Sequence, residues 1–254
     1  MRKFTLILTL GLAGALTAIA ASPTRVVAHR GYWKTDGSAQ NSIRSLIKAD
    51  SIGAYASEFD VWITADDVLV VNHDRDFNGH VIETSTSDTI LAQKLSNGEN
   101  LPSLAAYLDA AVPLKCDLVL ELKSHRDTLR EDVAVDKIIQ MVNERGLAPR
   151  TTYISFSRHG AEELIKKSGR PVYYLTGVDP QTVKDMGATG PDFHYSHFMT
   201  KHPEWLAQFK AMKMPVNVWT VDKPEDIQWV IDNNIEYITT NQPVEAMQMI
   251  KAKK

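Results

Sequence analysis

The chain has 254 residues, 44% of them hydrophobic and 23% charged, with a formal net charge of −3. These values fit one large globular domain or two small ones and exclude a low-complexity or fibrous chain. Nothing in the charge balance favours a nucleic-acid partner, so an anionic substrate would need a local positive site, either a metal ion or a few placed Arg and Lys.

The N-terminus differs in kind from the rest. Arg2-Lys3 precedes an apolar run from Phe4 to Ala20, and Ala18-Ile19-Ala20 has the small-x-small form of a cleavage site. This is the pattern of a secretory signal peptide, with a membrane anchor as the competing reading. Residues 1–20 are therefore expected to be cleaved, leaving 21–254 as an exported domain, periplasmic or secreted. Cleavage removes Arg2 and Lys3 and no acid, so the formal charge falls from −3 to −5. Cys116 is the single cysteine, so no internal disulfide can form. Its place just before an apolar run reads as a packed small hydrophobe.

From Thr24 onward, short β-like runs alternate with amphipathic stretches. The first run, RVVAHR (25–30), ends at His29-Arg30-Gly31 and lacks the glycine-rich phosphate loop of a doubly wound sheet. A helical stretch, SIRSLIKADSIG, follows. The second run, ASEFDVWIT (56–64), carries Glu58 and Asp60 two residues apart, which puts both carboxylates on one face of an extended chain. Phe59, Val61 and Ile63 make its other face apolar. Asp66-Asp67 reads as a turn, Val68 to Val71 as a short strand, and the run stops at His73-Asp74. His80 to Leu101 reads as a small insertion before the next helix. The third run, DLVLELK (117–123), carries Glu121 and Lys123, again two apart. Five more runs follow, TTYISFS, PVYYLT, DFHYSH, PVNVWTV and IEYITT, rich in the residues that favour strands. The stretches between most of them, such as EDVAVDKIIQMVNERG and PEDIQWVIDNN, repeat apolar residues at helical spacing and several stop at Gly or Asn.

Eight such repeats in about 230 residues predict an α/β fold, a (β/α)8 TIM barrel with a small insertion after strand two. The active site of such a barrel lies at the C-terminal ends of its strands. Strand one supplies His29 and Arg30 there, strand two Glu58 and Asp60 with His73-Asp74 beyond, strand three Glu121 and Lys123, and strand seven Asn217 and Trp219. Two like charges on one face repel, and burial raises the cost. Two readings resolve this: Glu58, Asp60 and Glu121 hold a hard divalent cation, Mg²⁺, Ca²⁺ or Mn²⁺, or they pair with Arg and Lys at a wet barrel mouth. His29 and His73 are the candidate acid and base, since histidine titrates near neutral pH. Arg30 and Lys123 are candidates to hold an anionic oxygen. The set fits a phosphate ester better than a sugar or a peptide.

Other histidines are weaker candidates. His194 and His197 stand three apart, on opposite faces of a strand, and are not expected to share a metal. His125 and His159 follow strands three and four and are candidates for the pocket rim; His80 and His202 read as surface groups.

AHRG (28–31), EFDVWIT (58–64), VVNHD (70–74), LELK (120–123), SF (155–156), VWTV (218–221) and ITTNQP (238–243) together resemble the glycerophosphodiester phosphodiesterase family, in the family's order and across the mature chain. The resemblance implies a TIM barrel, one Mg²⁺ or Ca²⁺ on Glu58, Asp60 and Glu121, His29 and His73 as general base and acid, Arg30 and Lys123 on the phosphate, and Trp219 on the glycerol side. The implied reaction is hydrolysis of a glycerophosphodiester, a small-molecule substrate, to glycerol 3-phosphate and an alcohol through a cyclic phosphate. The chain departs from the family at Gln40, where a Glu is usual, and at Asn241, where Asp is common and no catalytic role is expected. Asn41 is either a site residue or the N-cap of the following helix. The alternatives are a phosphodiesterase for another diester or a lysophospholipid, and a non-catalytic phosphodiester-binding barrel.

Overall fold

The computed structural model describes residues 24–253; the expected signal peptide lies outside them. The chain opens with β1 (Arg25–Ala28), α1 (Ile43–Ser51), β2 (Ala56–Ile63) and β3 (Leu69–Val71). A short hairpin, β4 (Asp76–Phe77) with β5 (His80–Val81), leads to α2 (Ser87–Leu91) and α3 (Leu104–Ala111). Then come β6 (Asp117–Leu122), α4 (Thr128–Glu144), β7 (Thr151–Ser155), α5 (Arg158–Ser168), β8 (Val172–Tyr174) and α6 (Pro180–Asp185). The chain closes with β9 (Gly190–His194), α7 (Pro203–Ala211), β10 (Asn217–Trp219), α8 (Pro224–Asp232), β11 (Tyr237–Thr240) and α9 (Pro243–Ala252).

Eight parallel strands, β1, β2 and β6 to β11, close into a barrel: β1 pairs with β2 on one side and with β11 on the other. Seven of them lie within the runs expected from the sequence, and β9 begins two residues before its run, DFHYSH (192–197). Helices begin where side chains can take up the free N–H groups of the first turn. Ser42, Ser103, Asp127, Ser157 and Asp179 each accept from the backbone N–H three residues on. Proline occupies the first turn of α6 to α9, where its missing N–H costs nothing.

Strand alternation sorts the side chains into two layers. Outward residues such as Phe59, Val61, Leu118, Leu120 and Tyr153 pack under the helices. Inward residues Val27, Ala56, Val119, Ile154 and Tyr173 fill the barrel. That inner layer is a plug, and it sets the parity of everything above it. Two residues further along each strand from the plug come His29, Glu58, Glu121, Phe156 and Leu175, all of which line one pocket. Four residues along come Asp60 and Lys123.

β2 runs past the barrel and turns back antiparallel into β3, with Val61 opposite Val71. Glu58 and Asp60 therefore sit in mid-strand rather than at its end, level with the ends of the shorter strands. Beyond β3, the segment from Asp76 to Leu101 forms its own small core, in which Ile82, Ile90, Leu95 and Leu101 pack on Trp62 and Val70. Cys116 is buried in the main core, and burial together with nearby Asp50 pushes its thiol up to about 12, an inert state.

Candidate active site

The turn after β1 does the first positioning. Arg30 and Gly31 both have left-handed backbones, φ 56° and 74°. In that conformation the Arg30 N–H donates to Glu58 Oε2 at 2.7 Å and the Gly31 N–H donates to the Ala28 and Glu58 carbonyls, each at 3.1 Å. A Cβ on Gly31 would lie 2.4 to 2.7 Å from Ser45, so no other residue fits there unshifted. The His-Arg-Gly sequence is thus a tight turn that aims His29 inward and pins Glu58.

Parallel register brings the acids together. Asp60 pairs with Glu121 across β2 and β6, and Glu58 lies one step below on the same face. One oxygen from each of Glu58, Asp60 and Glu121 falls within 4.8 Å of the others, and all three residues are buried. Among the described residues this is the one group of three or more such side chains so placed. Lys123 Nζ lies 2.8 Å from Glu121 Oε1 and 3.2 Å from Asp60 Oδ1, and Arg30 Nε lies 3.8 Å from Asp60 Oδ2. Both readings of the acid pair are therefore built into one site: carboxylates ready for a cation, with an Arg and a Lys beside them.

Without a cation, the surroundings push the three acids in different directions. Burial raises all three, but Lys123, His73, Asn41 and Arg30 overcome it at Asp60 and hold that carboxyl down at about 2. Burial and the Asp60 charge push Glu121 up to about 8, and burial with Asp60 and Glu121 raises Glu58 well above the usual carboxylate range. Burial would lower Lys123, but Asp60 and Glu121 raise it instead. Asp60 keeps its charge against Lys123, while Glu58 and Glu121 are pushed toward the protonated form. A divalent cation fits this set. Oxygens sharing one ion at about 2.0–2.6 Å can stand up to twice that far apart, and the three acids meet that spacing.

Asn41 is not the helix N-cap; Ser42 is, its Oγ accepting from the Ser45 N–H at 2.9 Å. Asn41 instead clasps Asp60 at two points, Nδ2 donating to Oδ2 at 2.8 Å and Oδ1 accepting from the Asp60 N–H at 3.2 Å. Gln40 Oε1 accepts from Arg30 Nη1, so the missing Glu charge leaves the guanidinium held by a neutral oxygen.

The two histidines face the pocket from different depths. His29 Nδ1 lies 2.9 Å from Asn241 Oδ1, the same oxygen that accepts from the Trp33 indole N–H at 2.9 Å. Asn241 Nδ2 donates to Asp222 Oδ2 at 2.8 Å. Since an indole N–H only donates, the Asn241 atom facing it is the oxygen, and His29 Nδ1 must carry the hydrogen. Nε2 is then the atom left with a lone pair. Asn241, given no role by the sequence, fixes the tautomer of His29; its pairing with a residue 212 positions away leaves no local signal. Burial and Arg30 lower His29 to about 4, so it is neutral at neutral pH. His73, on the loop after β3, lies 2.7 Å from Asp74 Oδ1 through Nδ1. Burial lowers it as well, while Asp60 and Asp74 pull the other way.

His29, Arg30, Glu58, His73, Glu121 and Trp219 line one cavity of about 220 Å³. Trp219 is held by its indole N–H donating to the Asp192 carbonyl at 2.8 Å and packs edge-on against Phe156 at 5.5 Å. Asp192, not singled out from the sequence, also lines this cavity; burial pushes it up to about 7 and its Oδ1 has no partner. Asn217 does not join this site. It begins β10 and lines a separate cavity at the N-terminal ends of the strands. His125 Nε2 accepts from the Ile63 N–H at 3.2 Å and His159 Nε2 pairs with Asp132 at 2.7 Å between helices; neither lines the pocket. His194 packs edge-on to Trp219 at 5.3 Å, whereas His197 stacks on Trp205, away from it.

The model of the glycerophosphoryl diester phosphodiesterase family matches residues 29–245. The chain belongs to that family. The glycerophosphoryl diester phosphodiesterases are enzymes, and this chain is a phosphoric diester hydrolase of their kind. A glycerophosphodiester phosphodiesterase from Caldanaerobacter subterraneus subsp. tengcongensis is 23% identical over 90% of this chain and 98% of its own length. The crystal structure of a glycerophosphodiester phosphodiesterase from Parabacteroides distasonis is 46% identical, covers 91% of this chain and 98% of that one, and superposes with a TM-score of 0.88. A phosphodiesterase from Oleispira antarctica, solved in complex with the product sn-glycerol-3-phosphate, shares the fold at 18% identity and a TM-score of 0.79, covering 90% of this chain and 97% of its own. Within this family the match begins at His29, the residue that the Gly31 turn aims into the pocket.

Proposed function

We propose that this chain hydrolyses glycerophosphodiesters to glycerol 3-phosphate and an alcohol, with one Mg²⁺ or Ca²⁺ held by Glu58, Asp60 and Glu121. The observation that carries the reading is the convergence of those three buried carboxylates within 4.8 Å of one another, with Glu58 and Glu121 lining a cavity beside His29 and His73. The product named for the Oleispira phosphodiesterase supports it. A cavity of about 220 Å³ suits a glycerol phosphate. The cation, when bound, supplies Lewis-acid polarisation and charge neutralisation.

The chain's own residues divide the remaining work. Arg30 and Lys123 hold phosphate oxygens against the floor of acids. Trp219 and Phe156 give the glycerol carbons an apolar wall. His29 Nε2, neutral and oriented through Asn241, takes the proton of the glycerol 2-hydroxyl as that oxygen attacks phosphorus. This is an intramolecular attack, favoured by proximity. His73 gives its proton to the departing alcohol oxygen as the P–O bond breaks. Water then opens the cyclic phosphate with the roles reversed: His73 takes the water proton and His29 returns its own to the 2-oxygen, leaving glycerol 3-phosphate.

The N-terminal sequence supports export of this activity; among the described residues, no helix is long and apolar enough to cross a membrane. The test is release of glycerol 3-phosphate by the chain beginning at Ala21, offered glycerophosphocholine, glycerophosphoethanolamine and glycerophosphoglycerol. Turnover should stop with EDTA and return with Mg²⁺ or Ca²⁺, and His29→Ala should abolish it in a folded protein. Tight binding of the diesters with no turnover, cation present, would defeat the hydrolase reading.

A further inference from the structure

Two hollows meet at His73. The inner one is the cavity described above. The outer one is an open groove of about 610 Å³ between the β1–α1 loop and the segment after β3. Trp33, Lys34 and Gln40 line one wall, and Phe77, Asn78 and Lys94 the other. His73 lines both hollows.

A phosphodiester carries two esterified groups, and this geometry gives each its own place. The inner cavity is the smaller, is lined by the barrel-strand residues and Trp219, and takes the half common to all glycerophosphodiesters. The other alcohol must leave phosphorus beside His73, and the outer groove is the space that opens there. The inner walls are fixed by the barrel. The outer wall is made by the segment after β3, so the choice among alcohols falls to that groove.

Its chemistry is selective. Its charged lining residues are Lys34 and Lys94 against Asp74, beside His73. Asp74 is already engaged by His73 Nδ1 at 2.7 Å. The Trp33 ring is already covered by the Lys34 ammonium, 5.5 Å from its centre. Lys34 shares part of its charge with Asp222 at 3.7 Å, and Lys94 Nζ donates to the neutral Asn100 Oδ1. A quaternary ammonium would meet two lysines against one carboxylate here, with one Asp74 oxygen held by His73 and one face of Trp33 occupied by Lys34. What the groove offers instead is amide, hydroxyl and ammonium groups that bond to hydroxyl oxygens.

We propose that this groove selects the departing alcohol and favours a hydroxyl-rich alcohol without positive charge, such as glycerol or an inositol, over choline or ethanolamine. Lys94 and Lys34 are the residues that set the preference. The proposal rests on the glycerophosphodiesterase reading above.

The test is kcat/KM of the cation-loaded mature chain for glycerophosphoglycerol, glycerophosphoinositol and glycerophosphocholine. The wild type should prefer the two polyol diesters. Lys94 is exposed and bonds only to a neighbouring side chain, so Lys94→Glu should fold normally. It should lower the polyol-to-choline ratio about tenfold, chiefly through KM, and Lys34→Gln should move the ratio the same way. A wild type that prefers glycerophosphocholine, or a ratio unchanged in both variants, overturns the groove's role while leaving the diesterase reading intact. Failure of all three diesters to turn over defeats the diesterase reading itself.

Discussion

At the scale of single residues, the site works through groups that never touch the phosphorus. Asn241 is the clearest case: Asp222 orients it, and it decides which nitrogen of His29 carries the hydrogen. Asn241→Ala should lower kcat between about 10- and 100-fold with KM nearly unchanged, because the general base loses its orientation and not its pocket. Steady-state kinetics separates the two; a rise in KM alone would place Asn241 in substrate binding. His125 plays a structural part that pH exposes. Burial lowers it to about 4 from an ordinary 6.5, and its Nε2 accepts from the Ile63 N–H. Above pH 6.5 the folded and unfolded chains both hold it neutral. As pH falls from 6.5 toward about 4, only the unfolded chain takes up the proton, so its contribution to stability is lost across that window. The slope reaches about 1.4 kcal/mol per pH unit for one such group. His125→Gln keeps an acceptor for Ile63 and removes the titration. Urea unfolding of both proteins from neutral to acid pH should show the variant losing less stability; equal slopes would assign the acid sensitivity elsewhere.

At the scale of elements, the site is a matter of parity and turns. The same-face spacing of Glu58 with Asp60, and of Glu121 with Lys123, was legible because strand side chains alternate, and the barrel register made those pairs neighbours. The eight strands were legible from their Val, Ile and Tyr content. The exit of β2 beyond the barrel was less so, because its extension has the same composition as a barrel strand. Asn41 illustrates another limit. An Asn before a helix is a good cap by propensity, but a left-handed backbone at φ 58° turns its amide to Asp60 and leaves capping to Ser42. His125 and His159 lie off the pocket because strand order gives the end of an element and not the direction of a loop, and Asn217 does so because β10 begins at it. The role of Asn241 carries no local signal, because His29 lies 212 positions away. The turn after β1 carries a testable consequence. Gly31→Ala would force a Cβ to within 2.4 Å of the Ser45 hydroxyl in a left-handed backbone. Loss of about 3 kcal/mol is expected, lowering Tm by roughly 10 °C in a domain of this size. Thermal unfolding reads it directly; an unchanged Tm would mean that α1 shifts freely, and that the turn does not fix Glu58.

At the scale of the whole molecule, the barrel accepts an unfavourable centre in exchange for a cation site. The plug below is apolar and the helices above the outer layer are well capped, yet three carboxylates lie buried where packing residues would serve stability better. Without a cation, Asp60 keeps its charge against Lys123 while Glu58 and Glu121 are raised by burial and by their neighbours. Holding those two acids as they are costs folding free energy at neutral pH, since both would ionise freely in the unfolded chain. Glu58→Gln removes one of them and keeps an oxygen to accept the Arg30 N–H, now at 2.7 Å from Glu58 Oε2. In EDTA the variant should therefore be more stable than the wild type, by on the order of 1 kcal/mol or a few degrees in Tm. With Mg²⁺ or Ca²⁺ the order should reverse. The wild type should gain stability with each tenfold rise in free cation, because the ion binds the folded state alone, and the variant should respond weakly. Thermal melts of the two proteins across a cation series decide the matter. A wild type as indifferent to cation as Glu58→Gln would mean that Arg30 and Lys123 alone neutralise the acids, and that the buried triad serves the fold and not a metal.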